Sequence, residues 1–182
     1  MKQIGHFIGG KEVAGKSGRK GEVFNPATGE KSAEVALASK AELNAAVEVA
    51  KQALPGWAAT PPLARARILF RYKDLIEKHH DDLARCITLE HGKTFDDAKG
   101  EVVRGLEVVE FACGIPHLLK GDFTENVSGS IDSYSMRQPV GIAAGITPFN
   151  FPAMVPMWMY TMAVATRSEE RRVGKECRSR WS

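Results

Sequence analysis

Residues 138–166 carry no charged side chain, and any fold for this chain must take them out of water. The run is long enough to cross a bilayer as a helix. Pro148, Pro152 and Pro156 recur every four residues within it, however, and Asn150 sits among them. A spanning helix would lose its backbone pairing at those points, so the run is expected to be a strand, an elbow and a helix of a soluble protein. Val140–Ile146 is apolar, small and β-branched at its ends, which suits a strand buried on both faces of a parallel sheet. Thr147-Pro-Phe-Asn-Phe-Pro152 then forces the backbone out of the sheet at the strand's carboxyl end, where open α/β sheets bind ligands. Pro152 is tolerated in a first helical turn. Ala153, Met154, Trp158, Met159, Met162 and Ala163 continue at helical intervals.

Two chemical readings of the elbow stand side by side. Gly141 and Gly145 give GxxxG rather than GxGxxG, so the phosphate-binding fingerprint is absent. Asn150 could present an uncharged amide to a substrate oxyanion, or it could serve as an ordinary turn-forming asparagine.

The rest of the chain supports a mixed α/β protein. Its 182 residues are 43% hydrophobic and 26% charged, enough for one core. The net charge of +3 resides in residues 167–182, which hold six Lys and Arg against three Glu; the remainder is neutral, so the basic balance does not argue for a nucleic-acid or acidic-membrane partner. The N-terminus, Met1–Gly10, has neither an apolar signal core nor an Arg/Ser-rich presequence, which suggests a cytoplasmic protein. Cys86, Cys113 and Cys177 lack zinc-site or disulfide spacing, and no metal is expected; Cys86 and Cys113 lie in apolar helical patterns and are expected to be core thiols.

Residues 6–38 alternate strand-like pieces with glycine-rich turns, among them Asn25-Pro-Ala-Thr-Gly29. Ser39-Lys-Ala-Glu42 is a capping box, opening a helix expected to stop before Pro55-Gly56. A second helix begins near Pro61-Pro62 with a stripe of Ile68, Leu69, Tyr72, Leu75 and Ile76, and a third spans Asp81–His91 and ends at Gly92. Thr94 can cap a fourth, running to about Leu119 with Val102, Leu106, Val109 and Cys113 inward. Arg104 on that helix is either a surface arginine paired with Glu101 or Glu107, or a bidentate clamp for a substrate carboxylate. Polar alternation around Ile131, Tyr134 and Met136 predicts exposed strands between Thr124 and Gln138.

Pro139-Val-Gly-Ile with Ile146-Thr-Pro-Phe-Asn-Phe-Pro152 resembles the strand and elbow of the NAD(P)-dependent aldehyde dehydrogenase superfamily. Phe149-Asn-Phe-Pro152, the methionine-rich Met154–Met159 and the segment Glu101–Phe111 are most similar to its CoA-acylating methylmalonate-semialdehyde branch, and the likeness covers residues 1 to about 166. The resemblance implies an N-terminal portion of that fold: residues 1–120 as hairpin and helices, 121–138 as a ribbon that builds a homo-oligomer, and 139–166 as the start of the Rossmann-like cofactor sheet. It further implies a valine-catabolic enzyme that converts a small semialdehyde to an acyl-CoA and carbon dioxide, with NAD as cofactor and CoA as co-substrate. Asn150 would hold the oxyanion, Thr147 and Phe149 would border the nicotinamide, and Arg104 would bind the substrate carboxylate. The catalytic cysteine and the Lys-Pro-Ser-Glu cofactor segment would lie after Thr166. An aldehyde dehydrogenase with water as acceptor and a non-catalytic associating fragment remain alternatives.

Residues 167–182 break the pattern: nine charges in sixteen residues follow the charge-free run with no helical or strand period. They resemble a translated sequencing adapter. The expectation is a non-native tail on a chain that alone has no dehydrogenase activity.

Overall fold

The computed structural model describes residues 2–167 and, for the backbone alone, 169–172. Its first part is a set of short strands, β1 (Lys2–Ile4), β2 (His6–Ile8), β3 (Lys11–Val13), β4 (Lys20–Phe24) and β5 (Lys31–Ala36). β2 and β3 form an antiparallel pair, while β5 lies between antiparallel β4 and parallel β1. The Asn25–Gly29 turn closes by its own chemistry. Asn25 Oδ1 accepts the Ala27 N–H at 2.9 Å, and the Asn25 carbonyl accepts that of Gly29 at 2.8 Å.

Five helices follow: α1 (Lys40–Ala59), α2 (Pro62–Lys78), α3 (His80–His91), α4 (Phe95–Cys113) and α5 (Ile115–Leu118). The Ser39–Glu42 capping box is formed in both directions, a contribution of about 1 kcal/mol. The backbone N–H groups of Ser39 and then Lys16 hold the Glu42 carboxyl down to about 2. Contrary to expectation, α1 continues through Pro55 and Gly56. An interior proline costs roughly 3 kcal/mol, but tertiary anchoring secures the last turn, where Trp57 Nε1 donates to the Val164 carbonyl at 2.9 Å. α4 stops earlier than expected, at Cys113 with Gly114 as C-cap. Pro116, which cannot donate and would clash with the preceding turn, lies in the first turn of the separate α5.

Beyond the helices come β6 (Phe123–Ser128) and β7 (Ile131–Tyr134), an antiparallel hairpin exposed along its whole length. Then β8 (Ile142–Gly145) leads into α6 (Met154–Ala165), and β9 (Glu169–Arg172) pairs parallel with β8. β8 is shorter than the expected 140–146, and only Gly145 in it is buried; Val140 is 94% exposed. Among the described residues β8 has one partner strand and otherwise packs on α1 and α6, so burial on both faces is not seen. The strand at 169–172 also differs from the periodless tail read from sequence. Residues 168 and 173–182, with Cys177, lie outside the described residues.

α4 is the axis of the core. Ala98, Val102 and Val109 on it pack with Ile76 of α2, Ala84 and Ile87 of α3 and Met157 of α6. A second cluster joins Ala66 and Leu69 to Ala112, Cys113, Ile115 and Ala165. α4 and α6 approach closely at Gly105, where a Cβ would lie 2.6 Å from Met157 Sδ and 3.4 Å from Met154 Cα. Cys113 is a core thiol, and burial pushes its pKa up. Cys86 is exposed, correcting its assignment to the core: Ala84 and Ile87 carry the inner face of α3, and Cys86 is turned away from it. On α2, Ile68 and Leu75 are likewise exposed, and the inner face includes Arg65 instead. Among the described residues, no helix is long and apolar enough to cross a membrane.

Candidate active site

The elbow occupies the irregular backbone between Gly145, where β8 ends, and Met154, where α6 begins. Pro152 thus precedes the helix, and it is Pro156 that sits in the first helical turn, where an N–H would have no intrahelical acceptor. The buried face of α6 is Met154, Met157, Thr161 and Ala165; Trp158 and Met159 are partly exposed. The N-cap residue, Ala153, has no side-chain acceptor for the orphan donors.

Glu101 of α4 supplies that acceptor from across the structure. Its Oε1 accepts the N–H of Ala153 at 2.8 Å and of Met154 at 3.1 Å. Its Oε2 receives Lys93 Nζ at 2.6 Å, and the pair is nearly sealed, with side-chain exposures of 15% for Lys93 and 1% for Glu101. A carboxylate at the positive end of a helix is favourable, and the ammonium offsets the cost of burying it. Lys93 Nζ also lies 3.9 Å from the centre of the Phe151 ring. Gly92, left-handed at φ 85°, ends α3 and turns the chain to deliver Lys93. Glu101 is therefore not the surface partner that the sequence offered for Arg104.

The opposite end of α6 is held by a cation. Arg65 of α2 is completely buried; its Nε donates to the Ala165 carbonyl at 3.0 Å and its Nη1 to the Thr60 carbonyl. Burial first, and the neighbouring Arg167 second, push its pKa down. Arg167 follows the C-cap Thr166 in the left-handed region, at φ 72°. That position favours glycine, so Arg167→Gly is expected to raise stability by up to about 1 kcal/mol, the relief of strain and repulsion outweighing loss of the exposed hydrogen bond from Arg167 Nη2 to the Arg137 carbonyl at 2.7 Å, seen as a higher Tm. An unchanged or lower Tm would contradict it.

Ahead of the first anchor, between Gly145 and Met154, the elbow presents its residues. Thr147 is half-buried, Phe149 is 47% exposed and Asn150 is exposed. Phe149 leans on His91, with ring centroids 5.6 Å apart. Arg104 is exposed on α4, and its carbonyl accepts Trp158 Nε1 at 3.1 Å. The Arg104 side chain lines an open depression of about 360 Å³ together with Lys93, Asp96, Asp97, Gly100, Glu101 and Phe151. The structure thus brings Arg104 to Phe151, whereas Thr147, Phe149 and Asn150 lie outside that lining.

Residues 13–168 match the model of the aldehyde dehydrogenase family. The chain belongs to that family. This aldehyde dehydrogenase chain is 53% identical over 164 residues to malonate-semialdehyde dehydrogenase 3 of Geobacillus kaustophilus, covering 90% of this chain and 34% of the relative. It is 48% identical over 158 residues to the acylating, mitochondrial methylmalonate-semialdehyde/malonate-semialdehyde dehydrogenase of Homo sapiens, covering 87% and 30%. A Sinorhizobium meliloti 1021 protein assigned as a methylmalonate-semialdehyde dehydrogenase and complexed with NAD superposes with a TM-score of 0.93 at 57% identity, over 97% of this chain and 36% of that one. The chain therefore spans about a third of the length of these relatives.

In this aldehyde dehydrogenase chain the two residues that anchor the ends of the elbow helix, Glu101 and Arg65, were missed in the sequence. A cue existed for both. Glu101 adjoins the buried stripe Ala98, Val102, Gly105 and Val109, and Arg65 adjoins Ala66 and Leu69. A charged residue beside an apolar stripe is one that needs a buried partner.

Proposed function

We propose that residues 1–166 work within an NAD-dependent, CoA-acylating dehydrogenase of methylmalonate or malonate semialdehyde, in which Arg104 selects aldehydes bearing a carboxylate. The observation that carries this reading is the placement of Arg104 in one depression with Phe151, at the foot of the elbow. A planar guanidinium can take a carboxylate bidentately, and Glu101 is already committed to Lys93 and α6. NAD, when bound, supplies the hydride acceptor that turns an aldehyde adduct into a thioester. Thr147 and Phe149, just beyond the carboxyl end of β8, are the residues that would border it, Phe149 offering a half-exposed ring braced by His91.

The rest of the chemistry asks two things of this chain. A cysteine thiolate adding to the aldehyde carbon leaves an alkoxide, to which the Asn150 amide N–H is suited to donate. That cysteine is expected outside residues 1–166: Cys113 is buried with its pKa raised, and Cys86 stands on the outer face of α3. The carboxylate held by Arg104 then departs as carbon dioxide, its bonding pair passing into the thioester as an enolate that takes a proton from water at the α-carbon, and the CoA thiol displaces the enzyme's cysteine from the acyl group. The exposed β6–β7 hairpin, which carries Phe123, Val127, Ile131 and Tyr134 in water, suits pairing with another subunit of the same enzyme.

The whole enzyme tests this. NADH formation from malonate or methylmalonate semialdehyde should require CoA and yield an acyl-CoA; free acid as the product would favour the water-accepting alternative. Arg104→Leu should raise KM for the semialdehyde on the order of tenfold or more, the worth of a charge-assisted hydrogen bond, while KM for propanal changes little. Equal effects on the two aldehydes would return Arg104 to the surface.

A further inference from the structure

We infer that the buried Lys93–Glu101 pair is a positioning device for the elbow: Glu101 fixes the start of α6 and Lys93 fixes Phe151, so that together they aim Asn150. This rests on the oxyanion role proposed above for Asn150. Three contacts converge on the few residues after it. Glu101 Oε1 holds the N–H groups of Ala153 and Met154 at 2.8 and 3.1 Å, and Lys93 Nζ stands 3.9 Å from the Phe151 ring centre. Because Ala153 has no side-chain cap to offer, these backbone donors depend on a residue about fifty positions earlier in the chain. The Phe151 carbonyl accepts the Val155 N–H at 3.4 Å, which couples elbow and helix through the backbone.

The two residues act as a unit. Glu101 sits at the positive end of α6, and Lys93, itself only 15% exposed, neutralises it while bridging to the aromatic ring next to Asn150. Gly105 adds a close approach of α4 to Met154 and Met157, so the helix carrying Glu101 has little room to shift relative to α6. An oxyanion donor must lie within a few tenths of an ångström of its working place. A misplacement of about 1 Å can reduce turnover on the order of 10²-fold.

The test uses the whole enzyme. Lys93→Met leaves Glu101 buried without its cation and could fail to fold; the double variant Lys93→Met/Glu101→Gln removes both charges, which neutral packing tolerates better. In the double variant the amides of 147–155 are expected to exchange with deuterium faster while exchange elsewhere is unchanged, and with propanal, which has no carboxylate to place in the Arg104 depression, kcat is lowered on the order of tenfold with KM little moved. Lys93→Arg, which keeps a cation for both Glu101 and Phe151, should restore most of kcat. The decisive arm places the double variant in an Asn150→Ala background, where its effect on kcat should vanish if it acts through Asn150. Unaltered exchange at 147–155 would overturn the positioning claim whatever Asn150 does. Faster exchange with a kcat loss that persists without Asn150 would overturn the route through that residue. Loss of the oxyanion reading itself would show separately, as an Asn150→Ala single variant with normal turnover.

Discussion

Asn150→Ala in the whole enzyme is expected to lower kcat by roughly 10²-fold or more, the usual cost of removing one oxyanion donor. The expectation rests on place and chemistry. Asn150 is exposed in the irregular segment that leaves the carboxyl end of β8, with Phe149 braced by His91 on one side and Phe151 under Lys93 on the other. The backbone around it is held from outside, so the side chain needs no structural duty of its own. Among the described residues no hydrogen bond engages its amide. Alanine should therefore fold normally, and the deficit should fall on kcat rather than KM, because in the role proposed for it the amide would act on an oxygen that becomes charged only after the thiolate has added. Asn150→Asp would place a carboxylate against the same alkoxide and should be at least as damaging. Normal turnover in a well-folded Asn150→Ala enzyme would reduce Asn150 to a turn former.

The local chemistry of this fold was legible in the sequence, and the long-range chemistry was not. Ser39-Lys-Ala-Glu42, Asn25–Gly29, Thr94 and Gly92 each act within a few residues, and each forms as the side chains require. The misjudged boundaries have tertiary or sequence-distant causes. α1 passes Pro55 with its last turn tied through Trp57 to Val164, and β8 falls short of two-faced burial for want of neighbours, not of apolar residues. The candidate site divides the same way. Arg104, Thr147, Phe149 and Asn150 were picked out by chemistry and resemblance, but that Arg104 would share a depression with Phe151 depends on α4 crossing α6 at Gly105. No spacing rule links Glu101 to Ala153 or Arg65 to Ala165, because the partners lie 52 and 100 positions apart.

Arg65→Ala is expected to be the most damaging stability change in the α2–α6 contact, a loss on the order of 3 kcal/mol or more in urea or thermal unfolding. Arg65 is fully buried, and its guanidinium joins two helix ends, the carbonyl of Ala165 at the close of α6 and that of Thr60 at the close of α1. Truncation would leave both carbonyls unpaired, open a cavity beside Ala66 and Leu69, and remove a cation from the negative end of α6. Arg65→Lys keeps the charge but loses the planar fork that spans two acceptors, so it should recover less than half of the deficit. The neighbouring Arg167 modifies the outcome in a calculable direction. It opposes the charge on Arg65, so Arg65 contributes less with Arg167 present than it would without it. In an Arg167→Gly background, Arg65→Ala should therefore cost more than in the parent chain, and the two substitutions should be non-additive. Additive effects would mean that the guanidiniums do not interact, and a loss below about 1 kcal/mol for Arg65→Ala would mean that water or a rearranged α6 satisfies the two carbonyls instead.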